Sequence, residues 1–329
     1  MLVASFVGPG AGDVQAATWY VRCGSAGDGS LANPLGTIQE AIDAARNCDI
    51  ILMAECTYPE YIVIDGISLF IKGGWNAAFS ERDCAANVTT ITGGGAGRCL
   101  TYTNSAAGEV PGFTIRNGHA QGDAPDCYGG GVYCEDSSPK ITGNIVVGNT
   151  ATEGGDIACH DNSSPAITNN TIAGNTGGGV YCESSDATVT NCILWDNTDQ
   201  IQGGSATYCC IQGCDPVQEN IAADPLFADP DNGDYHLKSR SGRWDPGLDG
   251  VGGFRSDDVT SRCIDAGDPQ SEKSNETMLN GCRVNIGAYG NTAEASRSRW
   301  IIDGDLTGDG KVNVLDWIYI RNRLNTACH

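Results

Sequence analysis

Gly130-Gly131-Val132-Tyr133-Cys134-Glu135, Gly154-Gly155-Asp156-Ile157-Ala158-Cys159-His160 and Gly178-Gly179-Val180-Tyr181-Cys182-Glu183 are three versions of one phrase. Each is followed by the same two short runs. After the first come Pro139-Lys140-Ile141-Thr142 and Ile145-Val146-Val147-Gly148-Asn149; after the second, Pro165-Ala166-Ile167-Thr168 and Thr171-Ile172-Ala173-Gly174-Asn175. After the third come Ala187-Thr188-Val189-Thr190 and Ile193-Leu194-Trp195-Asp196-Asn197. Val132, Ile157 and Val180 recur at steps of 25 and 23 residues, and Ile141, Ile167 and Val189 at 26 and 22. Three short β-rich pieces in a period of this size signal a solenoid. A leucine-rich repeat shares the period but needs several leucines per unit, which these units lack. The pattern predicts an all-β chain: a right-handed parallel β-helix solenoid with three strands per coil.

Within each opening strand, alternation sends Val132 and Cys134 to one face and Tyr133 and Glu135 to the other. The β-branched and cysteine positions are expected to fill the interior. Asn117, Asn149, Asn175 and Asn197 are expected to stack at one corner and hydrogen-bond from coil to coil, as amide ladders do. A solenoid must cover its open ends. Thr37-Ile38-Gln39-Glu40 is a capping box, and Ile38, Ala41, Ile42 and Ala45 form one helical stripe, so an N-terminal capping helix is expected there.

The rest of the chain agrees. Glycine supplies 45 of 329 positions and proline 12, with 18% charged and 7% aromatic residues, which excludes a helical bundle. A formal charge of -22 repels phosphate backbones, so a nucleic-acid partner is not expected. No apolar run approaches the roughly 18 residues that an integral membrane span requires. Sixteen cysteines suit an oxidising compartment, and residues 1–17, with an apolar run Leu2 to Val7 and a small-x-small Val14-Gln15-Ala16, read as a leader-like segment. A secreted or cell-surface protein is expected. Domain boundaries follow: residues 18–214 the β-helix, 215–295 a loop-rich C-terminal extension of it, and 296–329 a small helical calcium-loop module.

Several stretches carry a resemblance. Trp19-Tyr20-Val21, Asn33-Pro34-Leu35-Gly36-Thr37-Ile38-Gln39-Glu40, Gly73-Gly74-Trp75 and Thr90-Ile91-Thr92-Gly93-Gly94 resemble the opening of secreted bacterial β-helix proteins of the pectin-lyase-like superfamily. Asp224-Pro225-Leu226-Phe227, Asn232 to Leu237, Cys263 to Asp268 and Asn285 to Gly290 are similar to the end region of such proteins. The resemblance implies an architecture, since this fold hosts lyases, hydrolases, adhesins and inert surface proteins alike. Sets typical of pectin-degrading enzymes are echoed only by Asp257-Asp258 and Gly118-His119-Ala120, in the wrong order.

At the C-terminus, Asp305, Thr307, Asp309, Asn313 and Asp316 place oxygen donors at loop positions 1, 3, 5, 9 and 12. Gly310 stands at position 6, and Lys311 offers its carbonyl at 7. Ca2+ is the expected ligand. With Asp rather than Glu at 12 and an apolar helix after it, the loop resembles one dockerin type I repeat, which implies a cohesin-like or cell-surface partner. Thr307 departs from the family pattern, and a dockerin has two such loops where this chain shows one.

Elsewhere the candidates are weaker. Cys134, Cys159 and Cys182, extended by Cys209, are expected to form a column of stacked thiols; Cys84 with Cys99 and Cys263 with Cys282 are better placed for disulfides. Outward columns of Tyr133, Tyr181 and Tyr208 beside Glu135, His160 and Glu183 combine aromatic faces with carboxylates, as sugar grooves do. Two rungs would set Glu135 and Glu183 about 9.6 Å apart, at the edge of the spacing for inverting glycoside hydrolysis. The expected function is an exported, non-catalytic carbohydrate- or surface-binding β-helix held by a calcium-dependent tail. Alternatives are a polysaccharide lyase or glycoside hydrolase acting on the Tyr/Glu/His face, and a structural adhesin or spacer.

Overall fold

Three parallel sheets run along the coiled part of the chain, of eight, six and seven strands. The computed structural model describes residues 16–298, apart from positions 153, 251, 278, 279 and 282. Each coil contributes one strand to each sheet. In the repeat units these are Val132–Glu135, Ile157–His160 and Val180–Glu183 in the six-stranded sheet, with Lys140–Thr142, Ala166–Thr168 and Thr188–Thr190 in the eight-stranded one. Ile145–Val147, Thr171–Ala173 and Ile193–Trp195 belong to the seven-stranded sheet. All strand pairs in these three sheets are parallel, and the crossovers that join parallel strands are right-handed. The chain is a right-handed parallel β-helix.

Like residues lie in vertical files. Val132 pairs with Ile157 and Ile157 with Val180, continuing to Leu100 on one side and Ile201 on the other. Ile141, Ile167 and Val189 form a second file, and Val146, Ile172 and Leu194 a third. All nine residues of the three repeat units are buried, none more than 2% exposed. Each strand is so short that one or two side chains fill its share of the interior, which favours β-branched and small residues.

The corners carry the buried polar groups. Asn149 N–H donates to Asn175 Oδ1 (3.0 Å), and Asn175 N–H to Asn197 Oδ1 (3.1 Å), while Asn175 Nδ2 returns a bond to Val146 O (3.0 Å). Asn117 is not in this file: the strand register ends at Arg116 opposite Val147, and it is the Gly118 amide that donates to Asn149 Oδ1. The sequence reading thus holds for Asn149, Asn175 and Asn197 and misses only at Asn117, which takes a left-handed backbone (φ 53°) and turns out of the corner.

A second ladder mixes residue types. Asn144 N–H donates to Asn170 Oδ1, Asn170 N–H to Cys192 Sγ, Cys192 N–H to Cys209 Sγ, and Cys209 N–H to Asn220 Oδ1. Asn170 Nδ2 donates to Ile141 O, and one and two coils later the thiols of Cys192 and Cys209 donate to Ile167 O and Val189 O. A thiol can accept and donate once each, so it replaces the carboxamide in both roles. Cys209 therefore belongs to this corner rather than to the column of Cys134, Cys159 and Cys182, which does stack in register.

The helix Ile38–Ala44 covers the N-terminal end with the expected capping box and buries Ile38, Ala41 and Ile42. Glu60 accepts from the amides of Ile38 and Gln39, adding a carboxylate to the helix start. Nearby Cys23 and Cys56 form a disulfide. Cys84 and Cys99 are thiols: Cys99 faces the coil interior and its Sγ contacts Arg116 O, while Cys84 sits in a loop against Gly74 and Gly112. Cys282, and so its pairing with Cys263, lies outside the described residues.

Beyond the last coil the chain leaves the solenoid pattern. Phe227–Asp229 pairs antiparallel with Asp234–Leu237, and Arg243–Asp245 with Gly253–Arg255. Leu237, Cys263, Ile264 and Ile286 pack with Ile193 and Cys210 of the coils into a separate small core. Polar bonds reinforce the docking: Asn191 Oδ1 accepts from Asp268 N (2.7 Å) and Thr171 Oγ1 from Ala288 N (3.1 Å). Gly287 (φ 103°) permits this approach, since a Cβ there would stand 2.7 Å from Ile193 Cδ1.

Filing of side chains makes a stability prediction. Ile157→Ala should cost about 2–5 kcal/mol in urea unfolding as an unfilled cavity. Asn175→Ala, which strands two buried backbone partners, should cost about 2–4 kcal/mol. Exposed Lys140→Ala should stay within about 0.5 kcal/mol.

Candidate functional site

The outward face of the six-stranded sheet carries the residues singled out by sequence. Tyr133, Ala158 and Tyr181 are in register, as are Glu135, His160 and Glu183. Tyr208 is elsewhere: the residue opposite Tyr181 on the next coil is Gln202, and Tyr208 follows the strand Ser205–Thr207 of a different sheet. Its left-handed backbone turns it toward Arg283, whose guanidinium lies 5.2 Å from the ring. The sequence alignment missed this because the last coil is shorter than its predecessors.

A roof covers much of this face. Arg98 stacks over Tyr133 at 4.4 Å and holds the segment above it by bonds to the carbonyls of Tyr128 and Pro125. Tyr128 descends from that segment onto His160 (ring centroids 4.2 Å) and stacks on Tyr181 at 5.8 Å. Tyr133 is consequently only 2% exposed and His160 7%. The expected open platform of Tyr133 is thus a packed interior contact. Burial pushes the His160 pKa below its ordinary value despite Glu183, whose Oε2 lies 3.5 Å from Nδ1. A neutral imidazole among three tyrosine rings serves packing. Glu135 instead borders an open hollow of 430 Å³ with Asp136 and Asp161 at the sheet's corner.

A larger groove, 530 Å³, lies between the coils and the C-terminal segment. The coils supply Asp83, Cys84, Phe113, Thr142 and Asn169; the segment supplies Asn275, Tyr289, Asn291, Thr292 and Glu294. Gly74 and Gly112, both with positive φ, leave room for Cys84 Sγ, which would lie 2.5 and 2.6 Å from added Cβ atoms. Arg82 also lines the groove, but its guanidinium bonds the carbonyls of Gly73 and Pro111.

The groove contains a chain of ionisable groups. Asp83 Oδ1 accepts from the amides of Ala85 (3.1 Å) and Ala86 (2.9 Å), and Glu294 lines the same groove close enough for each carboxyl to bear on the other's ionisation. Behind Glu294 is His236, Nε2 3.7 Å from Oε2, with Nδ1 2.7 Å from Asp234 and the ring stacked 3.6 Å from Tyr289. Burial raises Glu294 to about 7, with Asp83 adding to the shift and His236 opposing it. Burial also works against Asp83, but Glu294, the two amides and His236 outweigh it and hold that carboxyl below its ordinary value. For His236 burial is outweighed by Asp234 and Glu294, which raise it. The opposite shifts of these two neighbouring carboxyls favour the proton on Glu294 and the charge on Asp83. Sequence reading missed this set because Asp83, Asp234, His236 and Glu294 are scattered over more than 200 positions; the only local signal was Asp234-Tyr235-His236 in the end-region resemblance.

Among the described residues no cluster of three or more His, Cys, Asp or Glu side chains is arranged to hold a metal ion. No helix among them is long and apolar enough to cross a membrane. The calcium-loop residues Asp305, Thr307, Asp309, Lys311, Asn313 and Asp316, and nearly all of the leader-like segment, lie outside the described residues.

Comparison with known proteins adds little chemistry. Residues 144–267 match a family described as disaggregatase related, less than half of the chain. A crystal structure of pectate lyase Pel9A is similar over 83% of this chain and 97% of that one, at 13% identity and a TM-score of 0.26. At that score the strand registers alone establish the fold. No curated protein matches the chain.

The Glu294 shift has a stability consequence. A carboxyl whose folded pKa lies above its ordinary 4.5 stabilises the fold fully below that pH, and the contribution disappears as pH rises through about 7. Unfolding free energy should therefore fall between these limits by an amount on the order of 3 kcal/mol at most. His236, raised above 6.5, acts in the same sense at the upper end. In Glu294→Gln, denaturant titrations across this range should show a flatter profile.

Proposed function

We propose that this chain is an exported β-helix protein that binds a neutral polysaccharide in the groove between its coils and its C-terminal segment, and that residues 296–329 attach it through calcium to a cohesin-like or cell-surface partner. The groove carries this reading. Its 530 Å³ has room for a few sugar rings, and it combines the half-buried Tyr289 ring with the polar side chains of Asn169, Asn275, Asn291 and Thr142, the mixture that carbohydrate recognition requires. Arg82 is the one cation among its described lining residues and is engaged by backbone carbonyls. With Asp83 and Glu294 on its wall and a net charge of -22, the groove favours hydroxyl-rich, uncharged polymers over uronates. Export accords with the Cys23–Cys56 disulfide and the leader-like N-terminus.

Affinity electrophoresis of the full chain should show retardation by neutral β-glucans or xylans and none by polygalacturonate. Tyr289→Ala should weaken retention about tenfold, equivalent to about 1.4 kcal/mol. Preference for polygalacturonate, or indifference to every polymer, would overturn the groove assignment. For the tail, calorimetry should detect calcium uptake that Asp305→Ala abolishes; unchanged uptake in that variant would refute the loop's role.

A further inference from the structure

We propose that His236 is a positioning residue of the groove: a proton between its Nε2 and the Glu294 carboxyl holds the Tyr289 wall in place, so that polysaccharide binding weakens in alkaline solution. The inference rests on the groove-binding reading above and adds its regulation. Its basis is a buried gap between two polar atoms. His236 Nε2 stands 3.7 Å from Glu294 Oε2, beyond hydrogen-bond length, and has no hydrogen-bond partner. The imidazole is 1% exposed and Glu294 6%, so solvent screens the pair poorly.

The other ring nitrogen fixes the tautomer. Asp234 Oδ1 lies 2.7 Å from Nδ1 and also accepts from the His236 amide at 3.0 Å, while Asp234 Oδ2 accepts from Arg243 Nη1 at 3.2 Å. A carboxylate used as acceptor on both oxygens leaves Nδ1 the donor. A neutral imidazole therefore turns the lone pair of Nε2 toward Glu294. With a proton on either Nε2 or Oε2 the two groups attract, and a small closure of the gap makes a charge-assisted hydrogen bond. With none, a lone pair faces a buried carboxylate and the two repel.

The ring carries this effect to the groove. His236 itself is not on the groove wall, but Tyr289 and Glu294 are, and Tyr289 stacks on the imidazole with centroids 3.6 Å apart and planes at 16°. The other ionisable groups around the pair are Asp83, Cys84 and Arg82 from the coils, Tyr235 beside His236 in its strand, and Arg243 with its second partner Asp257. Burial raises Cys84, Tyr235 and Tyr289, which keeps them neutral, and Asp83 is held below its ordinary value. Guanidinium groups keep their charge throughout. His236 and Glu294 are both raised, so their proton is present in acid and lost as pH rises through about 7.

The test measures retention of the full chain on an immobilised neutral β-glucan between about pH 5.5 and 8.5, where the polymer carries no charge of its own. Retention should be constant at the acid end and fall about tenfold by the alkaline end, with far-ultraviolet circular dichroism showing the coils intact. In Glu294→Gln the amide accepts from a protonated imidazole and donates to a neutral one, so retention, whatever its level, should not vary with pH. In the parent, the nitrogen NMR shift of His236 Nε2 should change over the same interval as retention. A flat profile in the parent, or the same decline in Glu294→Gln, overturns the inference and leaves groove binding standing. A decline during which His236 Nε2 keeps its shift overturns it as well, and decides the matter should the variant not fold. Absence of retention at every pH overturns both readings.

Discussion

Vertical stacking of like residues is the constraint on which the rest of the structure depends. A strand of three or four residues has too few contacts to be stable alone. It gains them from the identical strand one coil above and below, through an unbroken row of parallel backbone hydrogen bonds. That requirement propagates inward and to the corners. Interior files must hold side chains of nearly constant volume, and every corner must satisfy the backbone groups left unpaired where the chain turns. The asparagine ladders do this by reaching back to the preceding coil with both atoms of the carboxamide. Where Cys192 and Cys209 replace asparagine, a thiol makes both contacts at longer range. Several cysteines of this chain are thus polar bridging groups at buried corners, not crosslinks.

Regular stacking also explains why the groove is where it is. A uniform solenoid is smooth along its length; a cavity of useful size forms only where something irregular is laid against it. The C-terminal segment supplies the irregularity by docking through a small apolar core and the side chains of Asn169, Thr171 and Asn191. Asn169 and Asn191 adopt left-handed backbone at a corner, a conformation asparagine tolerates better than most residues, and so present their amides outward. One wall of the groove is then inherited from the coils and the other from the segment, with Asp83 on the first and Glu294 on the second.

Much of the coil architecture was legible in the repeats around Val132, Ile157 and Val180. A vertical file imposes the same residue class at fixed intervals, and intervals are what a sequence displays. The N-terminal helix was legible for a similar reason, since a capping box is a local contract between Thr37 and Glu40. Errors arose where the period changed. Asn117 was read one position off the corner, and Tyr208 and Cys209 were placed in the files of an earlier coil because the final turn is shorter. The roof over Tyr133 and His160 was not legible either: it depends on Arg98 gripping a segment some thirty residues later, with no periodic trace.

Sequence by itself therefore determined the winding, the interior files, the end cap and the excess of negative charge, all of which are written in local patterns or in composition. Tertiary structure alone decided which polar groups meet. Asp83, Asp234, His236 and Glu294 converge because a segment without repeats folds back onto the coils. The contacts of such a segment depend on shape and on buried side chains far apart in the chain, which spacing cannot encode.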